Sequence, residues 1–303
     1  LLFAWSASFG AKIWDGGKTI FHYHIWKLVL DDDRVNKLYL KYLMDYMTES
    51  FKETGGRGGI MMHLTKSGME KQEIPLPPIE IQQEIVDELE GFQKIIDGCR
   101  QVFENYKPTI EIDPSWEMVE LGSICEIKSG GSPSKKIDEY WLDGTVPWVG
   151  SGVCKNEKVY SSEKFITNEG LKNSSAKVFP EGTTFVALVG ATIGKTALSM
   201  FETSTNQNIA GMIPKDEDLL DKTYLFYATQ TLYHHFMRLG EGQFRMANLS
   251  FVKELEIPVP SIEVQKQIVS KLKEIEGVVE GNKQLINVYT KKIQDRISKV
   301  WGE

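Results

Sequence analysis

The sequence is poor in cysteine and histidine, and it contains no long apolar run. Its three cysteines, Cys99, Cys125 and Cys154, are odd in number and lack the C-x-x-C spacing, so neither a disulfide framework nor a zinc site is predicted and the thiols are expected to be free and buried. No segment reaches the about 18 consecutive apolar residues of a membrane span. The first residues also lack the basic flank of a signal peptide. These absences predict a cytoplasmic protein without a membrane partner.

An excess of positive charge is also missing. The net charge of −7 argues against a protein that binds polyanions over its whole surface, although it leaves room for a local basic cleft. With 303 residues and 41% hydrophobic content, the chain has enough apolar material for one large core or two medium ones.

What the sequence does contain is an internal repeat. The segment from Ile74 to Leu89 returns from Ile257 to Leu272, and both copies carry Ile-Pro-x-Pro followed by Glu-x-Gln-x-x-Ile-Val. Such self-similarity indicates two units built on one plan. Upstream, the repeat continues with Ile25 aligned to Ile209 and Tyr39 to Tyr224. On this register the first unit lacks a counterpart of residues 113–184.

Each copy of the motif opens a long amphipathic helix. Apolar residues recur at steps of three and four from Ile79 to Lys107 and again, over a longer stretch, after Ile262, which places them on one stripe of each helix. The prolines before each helix fix an extended approach to it. Two matching stripes favour a coiled coil in which Asn282 faces Cys99 as a polar register residue. The alternative is that each helix packs on its own globular domain.

Between the helices, short apolar runs are separated by Gly, Ser, Asn and Pro, which predicts strands joined by polar loops. The predicted strands are Ser123–Lys128, Val146–Val149, Thr184–Val189 and Asn208–Ile213. One helix is expected from about Lys222 to Leu239. The fold class is therefore predicted to be α+β.

The repeated motif resembles that of the specificity subunits of Type I restriction-modification systems. The segment between the helices is similar to the target recognition domain of that family, at Trp116–Gly122, Val146–Val149, Gly190–Lys195 and Asn206–Asn208. The resemblance implies target recognition domains of short strands and a few helices, joined by two long antiparallel coiled-coil helices. It divides the chain into the C-terminal part of a first recognition domain (1–73), a spacer helix (74–112), a second recognition domain (113–256) and a second spacer helix (257–303).

In that family, each recognition domain reads one half of a bipartite site in double-stranded DNA. Methyltransferase subunits and a restriction subunit are the expected partners and supply catalysis, so this chain is not expected to be an enzyme. It departs from the family pattern at its incomplete first domain. The alternative function is therefore the recognition end of a single-chain methyltransferase or restriction fusion enzyme, and the chain is expected to be a piece of a longer protein.

A loop of small residues and lysines is the first candidate DNA contact. It runs from 128 to 136 and contributes Lys128, Ser129, Lys135 and Lys136. Flexible small residues let the backbone approach phosphates closely, and lysines release counterions on binding. The alternative is an ordinary solvated loop.

The segment from Gly190 to Thr196 invites comparison with a phosphate-binding P-loop, but three residues separate its glycines instead of four. A tight turn that presents Thr192 and Lys195 to DNA is predicted instead, with no nucleotide or other cofactor.

Amide side chains supply the candidate base readers. Asn206, Gln207 and Asn208 have the groups that bond adenine in the major groove, and the first unit has His22, Tyr23 and His24 in the aligned places. Alternatively, these polar residues cap strand ends. A second patch that differs between the repeats contains Gln243, Arg245 and Asn248, and Arg57 is the candidate with the same role in the first unit. Either arginine could instead form a surface ion pair.

Catalytic signals are weak by comparison. The five histidines show no metal-ligand spacing, and the sequence contains neither an Asn/Asp-Pro-Pro-Tyr/Phe methyltransferase motif nor a dinucleotide fingerprint. No catalytic residue and no metal site are therefore predicted.

Overall fold

The computed structural model describes residues 1–5, 10–55, 66–106, 110–239 and 246–302. They form two compact units, which are described separately. Unit 1 comprises Leu1–Tyr106 and Gly277–Glu303, and unit 2 comprises Lys107–Glu276. Both contain helices and strands, as the α+β prediction requires. No helix in the described ranges combines the length and apolar character needed to cross a membrane.

Unit 1 contains a small antiparallel sheet and the helices that follow it. The strands are β1 (Leu2–Ala4), β2 (Gly10–Lys12) and β3 (Ile25–Lys27), with β1 in the middle. The helices are α1 (Lys37–Gly55), α2 (Lys66–Glu70) and α3 (Ile79–Asn105). Asn36 caps α1, because its Oδ1 accepts the amides of Leu38 and Tyr39, which satisfies two donors that a helix leaves free.

Unit 2 contains most of the strands. They are β4 (Met118–Glu120), β5 (Cys125–Ser129), β6 (Val146–Val149), β7 (Glu157–Val159), β8 (Lys164–Ile166), β9 (Val178–Phe179), β10 (Thr184–Ala187), β11 (Thr196–Ser199), β12 (Thr203–Thr205), β13 (Ile209–Pro214) and β14 (Glu256–Pro258). A five-stranded sheet has the order β5-β13-β10-β11-β7, and a four-stranded sheet has the order β8-β6-β12-β9. Strands β14 and β4 form a separate pair.

The helices of unit 2 extend the cores of its sheets, and the one that carries Leu171 packs beside the four-stranded sheet. They are α4 (Leu121–Ile124), α5 (Asn168–Lys172), α6 (Lys222–Gln230), α7 (Tyr233–Met237), α8 (Leu249–Glu254) and the first part of α9 (Ile262–Trp301). Leu225 from α6 and Leu272 from α9 belong to the same buried cluster as Val186 from β10. The first fifteen residues of α9 therefore belong to unit 2, and Val269 and Leu272 contribute to its core.

Two local predictions were wrong. The single helix expected from Lys222 to Leu239 is broken between α6 and α7, where Thr231 and Leu232 donate to carbonyls three residues back and tighten the last turn. The strand expected from Ser123 begins only at Cys125, because Leu121–Ile124 forms the helical turn α4.

The last part of α9 packs against α3 in unit 1. Arg296 donates to Glu88 at 2.7 Å, and the rings of Tyr289 and Phe92 lie 5.5 Å apart. From Glu88 to Phe92 the contacts proceed toward the C-terminus of α3, and from Arg296 to Tyr289 they proceed toward the N-terminus of α9. Asn282, which was expected to face Cys99, donates its side-chain amide to Val278 of its own helix at 2.8 Å.

The two units repeat the same strand arrangement. Leu2 pairs with Lys12 in unit 1 as Val186 pairs with Thr196 in unit 2, so the first hairpin keeps its register. In both units a tyrosine near the start of the following helix donates to a proline carbonyl. Tyr39 donates to Pro75 at 2.9 Å, and Tyr224 donates to Pro258 at 2.8 Å.

The register of the third strand differs by one residue from the sequence alignment. Trp26 lies opposite Phe3 in β1, and Ile209 lies opposite Ala187 in β10. Trp26, and not Ile25, therefore takes the place of Ile209. Strand pairing determines this correspondence. The sequence alignment matched Ile25 with Ile209 because both are isoleucines, and it was therefore wrong by one residue.

All three cysteines are free and buried, as predicted. Burial raises the pKa of the Cys125 and Cys154 thiols to about 12. Both thiols therefore stay protonated near neutral pH.

Candidate nucleic-acid interface

Five loop segments of unit 2 meet where several of its strands end. We call them the site loops: 128–136, 149–153, 188–195, 205–208 and 246–248. Backbone hydrogen bonds connect them: Gly131 N to Thr205 O (2.8 Å), Asn206 N to Val149 O (3.1 Å), Leu188 N to Asn208 O (2.8 Å) and Ala247 N to Leu188 O (2.8 Å). Candidates that are far apart in the sequence are thereby brought into one neighbourhood.

The glycine segment of the first site loop is tightly held, which differs from the flexible loop predicted from the sequence. Gly130 and Gly131 are buried, and the carbonyl of Gly131 accepts the indole N–H of Trp148 at 3.0 Å. A Cβ built on Gly130 would lie 2.2 Å from the carbonyl oxygen of Thr205. These glycines therefore permit close backbone packing more than they provide mobility.

The lysines of this loop differ in their surroundings. Lys128 forms an ion pair with Glu126 at 2.5 Å, and both side chains are about half exposed. Lys135 and Lys136 are exposed and follow Ser134 in the sequence, whose carbonyl accepts the indole N–H of Trp141. Lys135 and Lys136 are thus the more accessible cations for a phosphate, because a pairing partner already neutralises Lys128. Ser129 is half-buried at the end of β5 and pairs with Ala210.

The three amide residues have different roles in their loop. Asn206 Oδ1 accepts the backbone amide of Asn208 at 3.1 Å, which shapes the turn and leaves both asparagines half-buried. Gln207 between them is exposed, and its Oε1 accepts the Ser132 hydroxyl at 2.8 Å. Asn206 therefore fits the alternative prediction, in which a polar residue shapes a strand end. Gln207 instead has an exposed side-chain amide that the bond to Ser132 holds in place. Ser132 was not named as a contact residue, although it is one of the hydroxyl residues of the predicted loop 128–136.

The tight turn predicted around Gly190–Lys195 is present. Gly190 and Gly194 both have positive φ, and a Cβ on Gly194 would lie 2.6 Å from the Phe236 side chain. The Thr192 hydroxyl donates to the Ser151 carbonyl at 3.0 Å and so connects two site loops. Lys195 is half-buried in the same turn.

Asn248 is exposed and caps α8. Its Oδ1 accepts the amide of Phe251 at 2.8 Å, a satisfied N-cap contact. Its oxygen is thus committed to the helix, which leaves the side-chain N–H groups for other contacts. Gln243 and Arg245 lie outside the described residues.

In unit 1 the two candidate histidines are adjacent in space. Their ring centroids are 4.6 Å apart, and the His22 Nδ1 accepts the backbone amide of His24 at 3.3 Å. The ring of Trp5 contacts His24 edge-on at 4.7 Å. The shifted strand register makes His24 the counterpart of Gln207. Arg57 lies outside the described residues.

In the described part of the chain, no three His, Cys, Asp or Glu residues are grouped so that they could hold a metal ion. The site loops instead offer amides, hydroxyls and lysines. This set can donate to phosphates and exchange hydrogen bonds with base edges.

Comparison with known proteins shows the class to which the chain belongs. It matches the family described as Type I restriction modification DNA specificity domain over residues 1–101 and 114–290. The chain therefore belongs to this family, as the repeated motif predicted.

Two relatives and one solved structure illustrate the likeness. The specificity subunit of the Type I restriction enzyme MjaIX from Methanocaldococcus jannaschii is 33% identical over 63% of this chain and 44% of its own length. The EcoR124I/EcoR124II specificity subunit from Escherichia coli is 25% identical over 80% of this chain and 64% of its own length. The chain thus spans between two fifths and two thirds of these relatives.

The solved structure is a chain from a study of complex assembly and conformational transition of the type I R-M system. It covers 92% of this chain and 74% of its own, with 19% sequence identity and a TM-score of 0.61, so the likeness concerns the fold. Both relatives are specificity subunits, and this favours the specificity-subunit interpretation over a fusion enzyme.

Proposed function

We propose that the chain is the sequence-specific DNA-binding part of a Type I restriction-modification specificity subunit, and that unit 2 reads one half of a bipartite site through its site loops. The observation that supports this proposal is that backbone bonds connect the loops that carry Gln207, the pair Lys135 and Lys136, and Lys195, although these loops are far apart in the sequence. Gln207 would contact a base edge, and the lysines would contact phosphates. Ser129, Thr192, Asn206, Asn208 and Asn248 would support or extend these contacts, together with Gln243 and Arg245.

For the first half, the proposal assigns DNA contacts to His22, His24 and Arg57. The domain division at 73, 112 and 256 belongs to the same proposal, with residues 74–112 and 257–303 as spacer segments. Their helices would form the antiparallel coiled coil that separates the two half-sites. The contacts of Glu88 with Arg296 and of Phe92 with Tyr289 support this arrangement.

Methyltransferase subunits would dock on the outer faces of these helices. On α3, Ile95 and Val102 are exposed and follow Gly91 and Gly98 at helical spacing. On α9, Val278, Leu285 and Val288 are also exposed. Exposed apolar residues at such spacing fit a partner helix. The methyltransferase and restriction subunits would then supply catalysis, and this chain would supply no catalytic residue and no cofactor.

Selection from a random duplex library tests the proposed reading. The full chain should enrich a short word, and Gln207→Ala should change the base preference at one position by about 1–3 kcal/mol of discrimination. Gln294→Ala provides a matched control, because Gln294 is an exposed glutamine on α9 in unit 1. Failure of the unaltered chain to enrich any word would overturn the proposed function.

Docking has its own test. Co-purification of a methyltransferase subunit should be lost with Ile95→Lys and Val102→Lys combined, while the enriched DNA word stays the same. Retention of the subunit by this variant would exclude the α3 face as a docking surface.

A further inference from the structure

Two fully buried glutamines occupy equivalent places in the first turns of the long helices. Gln82 in α3 and Gln265 in α9 each have 0% exposure, although a buried polar side chain is costly unless its bonds are satisfied. The repeated sequence motif contains both residues, and their environment accounts for their presence in both copies.

Each amide makes three hydrogen bonds to backbone groups. Its Nε2 donates to a proline carbonyl just before the long helix. It also donates to a carbonyl in the loop before the helix of the globular domain, which is α1 in unit 1 and α6 in unit 2 and is called the domain helix below. The Oε1 accepts one backbone amide. For Gln82 the partners are Pro77 O (2.8 Å), Arg34 O (2.9 Å) and Asn36 N (2.8 Å). For Gln265 they are Pro260 O (2.8 Å), Leu219 O (2.9 Å) and Asp221 N (2.9 Å). Corresponding distances agree within 0.1 Å.

The accepted amide belongs in each unit to the residue that caps the domain helix. Asn36 caps α1, and Asp221 caps α6 by accepting the amides of Thr223 and Tyr224. One glutamine side chain therefore connects the long helix, its proline segment and the cap of the domain helix. We call this set of hydrogen bonds the joint of each unit. The bonds from Tyr39 to Pro75 and from Tyr224 to Pro258 add a fourth hydrogen bond to each joint.

Directional bonds distinguish this joint from the apolar packing around it. Apolar contact is non-directional and tolerates small rotations, whereas a buried amide loses its bonds when its partners turn away. A fully buried network thus favours one geometry. The same network in both units means that each domain is held on its own long helix in the same local way, although the candidate base contacts differ.

We propose that Gln82 and Gln265 are positioning residues that fix the angle between each globular domain and the long helix that follows it. Gln265 thereby determines where the site loops of unit 2 lie relative to α9. The effect on DNA reading rests on the proposed function, but the mechanical role of the joint does not.

Distance measurement by pulsed electron resonance tests the joint within unit 2. Spin labels are attached to Lys172→Cys on α5 and Lys273→Cys on α9, two exposed positions; the native cysteines are buried. The full chain with Gln265 intact should give a narrow distance distribution. Gln265→Met should broaden it, whereas the matched control Gln294→Met should not.

A milder variant keeps the test decisive if Gln265→Met does not fold. Tyr224→Phe removes only the hydroxyl that donates to Pro258 and should broaden the distribution less. Unchanged widths in every folded variant would overturn the proposal. The enriched DNA word should be the same for Gln265→Met and the unaltered chain, because the site loops are untouched. If the unaltered chain enriches no word, the proposed function fails, and the label distances still decide the role of the joint.

Discussion

Gly130 illustrates how one residue type supports the candidate site. Its φ is not in the left-handed region, so glycine is not required there for backbone conformation. It is required for space, because the loop that carries Gln207 passes directly against it. The absence of a side chain at 130 therefore helps to place the exposed amide at 207.

Gly130→Ala should lower the free energy of unfolding by about 1–3 kcal/mol, because the added methyl group overlaps the Thr205 backbone. Urea denaturation measures this change, and the DNA word should also shift at the position that Gln207 is proposed to read. Gly152→Ala is the matched control, since a Cβ there meets nothing within 4 Å. Equal stability of the two variants would contradict the close packing.

Alkaline pH should destabilise the fold through the buried thiols. The Cys154 thiol has an ordinary pKa of 9.0, and burial raises it to about 12. Above pH 9 the unfolded thiol loses its proton while the folded one keeps it, so this contribution to stability is full below pH 9 and falls as the pH rises toward 12. The slope is about 1.4 kcal/mol per pH unit for this group.

Urea midpoints between pH 7 and 10.5 measure the effect. Cys154→Ala should show a shallower alkaline decrease than the unaltered chain, although its stability at pH 7 is lower. Identical decreases would show that the Cys154 thiol ionises equally easily in both states.

Residue types were easier to predict than their bonds. The sequence predicted DNA contacts for Asn248 in a variable patch and for Thr192 in a tight turn, and both residues lie in site loops. It could not indicate that one caps a helix and the other donates to Ser151, because those partners depend on how distant segments fold together. Ser132 shows the same limit, since only its contact with Gln207 distinguishes it from other serines.

At the scale of elements, the long helices were predictable from apolar periodicity and the prolines before them. The break between α6 and α7 was not, because no Gly or Pro marks it and the change is only from one hydrogen-bond spacing to another. The one-residue shift of β3 was hidden for a related reason. Similar residues can be aligned by eye, but pairing with β1 determines which of them face each other.

Within unit 1, the pairing of α3 with the end of α9 should depend more on apolar burial than on its ion pair. Ile297 is 3% exposed, so Ile297→Ala should cost about 2–5 kcal/mol. Arg296→Ala should cost about 1 kcal/mol or less, because the pair with Glu88 is partly exposed.

Thermal unfolding at low and high salt separates these contributions. High salt should reduce the small effect of Arg296→Ala and leave that of Ile297→Ala unchanged. A larger loss for the arginine variant would contradict this ranking.

For the whole molecule, net charge and DNA contact have to be considered separately. The overall charge of −7 gives no general attraction to DNA, so the proposed binding would depend on a few local cations. Composition alone could not locate the proposed interface. It depends on the folding of five separate segments into one region, whereas the family could be recognised from the repeated motif.

Salt dependence should therefore report individual lysines. Replacing Lys135 and Lys136 together by alanine should lower the slope of log K against log salt by about 1.8, because each phosphate contact contributes about 0.9. Fluorescence anisotropy with a labelled duplex measures the slope. The control is Lys271→Ala with Lys273→Ala on the exposed side of α9, and an equal change in both variants would argue against the assignment of the interface.

The backbone bonds that connect the site loops have a consequence for how such a protein can change over generations. The bonds Gly131–Thr205, Asn206–Val149, Leu188–Asn208 and Ala247–Leu188 involve main-chain atoms at both ends, so they do not require a particular side chain at the exposed positions beside them. Mutations at Lys135 or Lys136 can therefore alter the surface and leave these bonds in place, and a mutation at Gln207 removes only its side-chain bond to Ser132. Under the proposed function, recognition can therefore change by point mutation while these backbone bonds are kept.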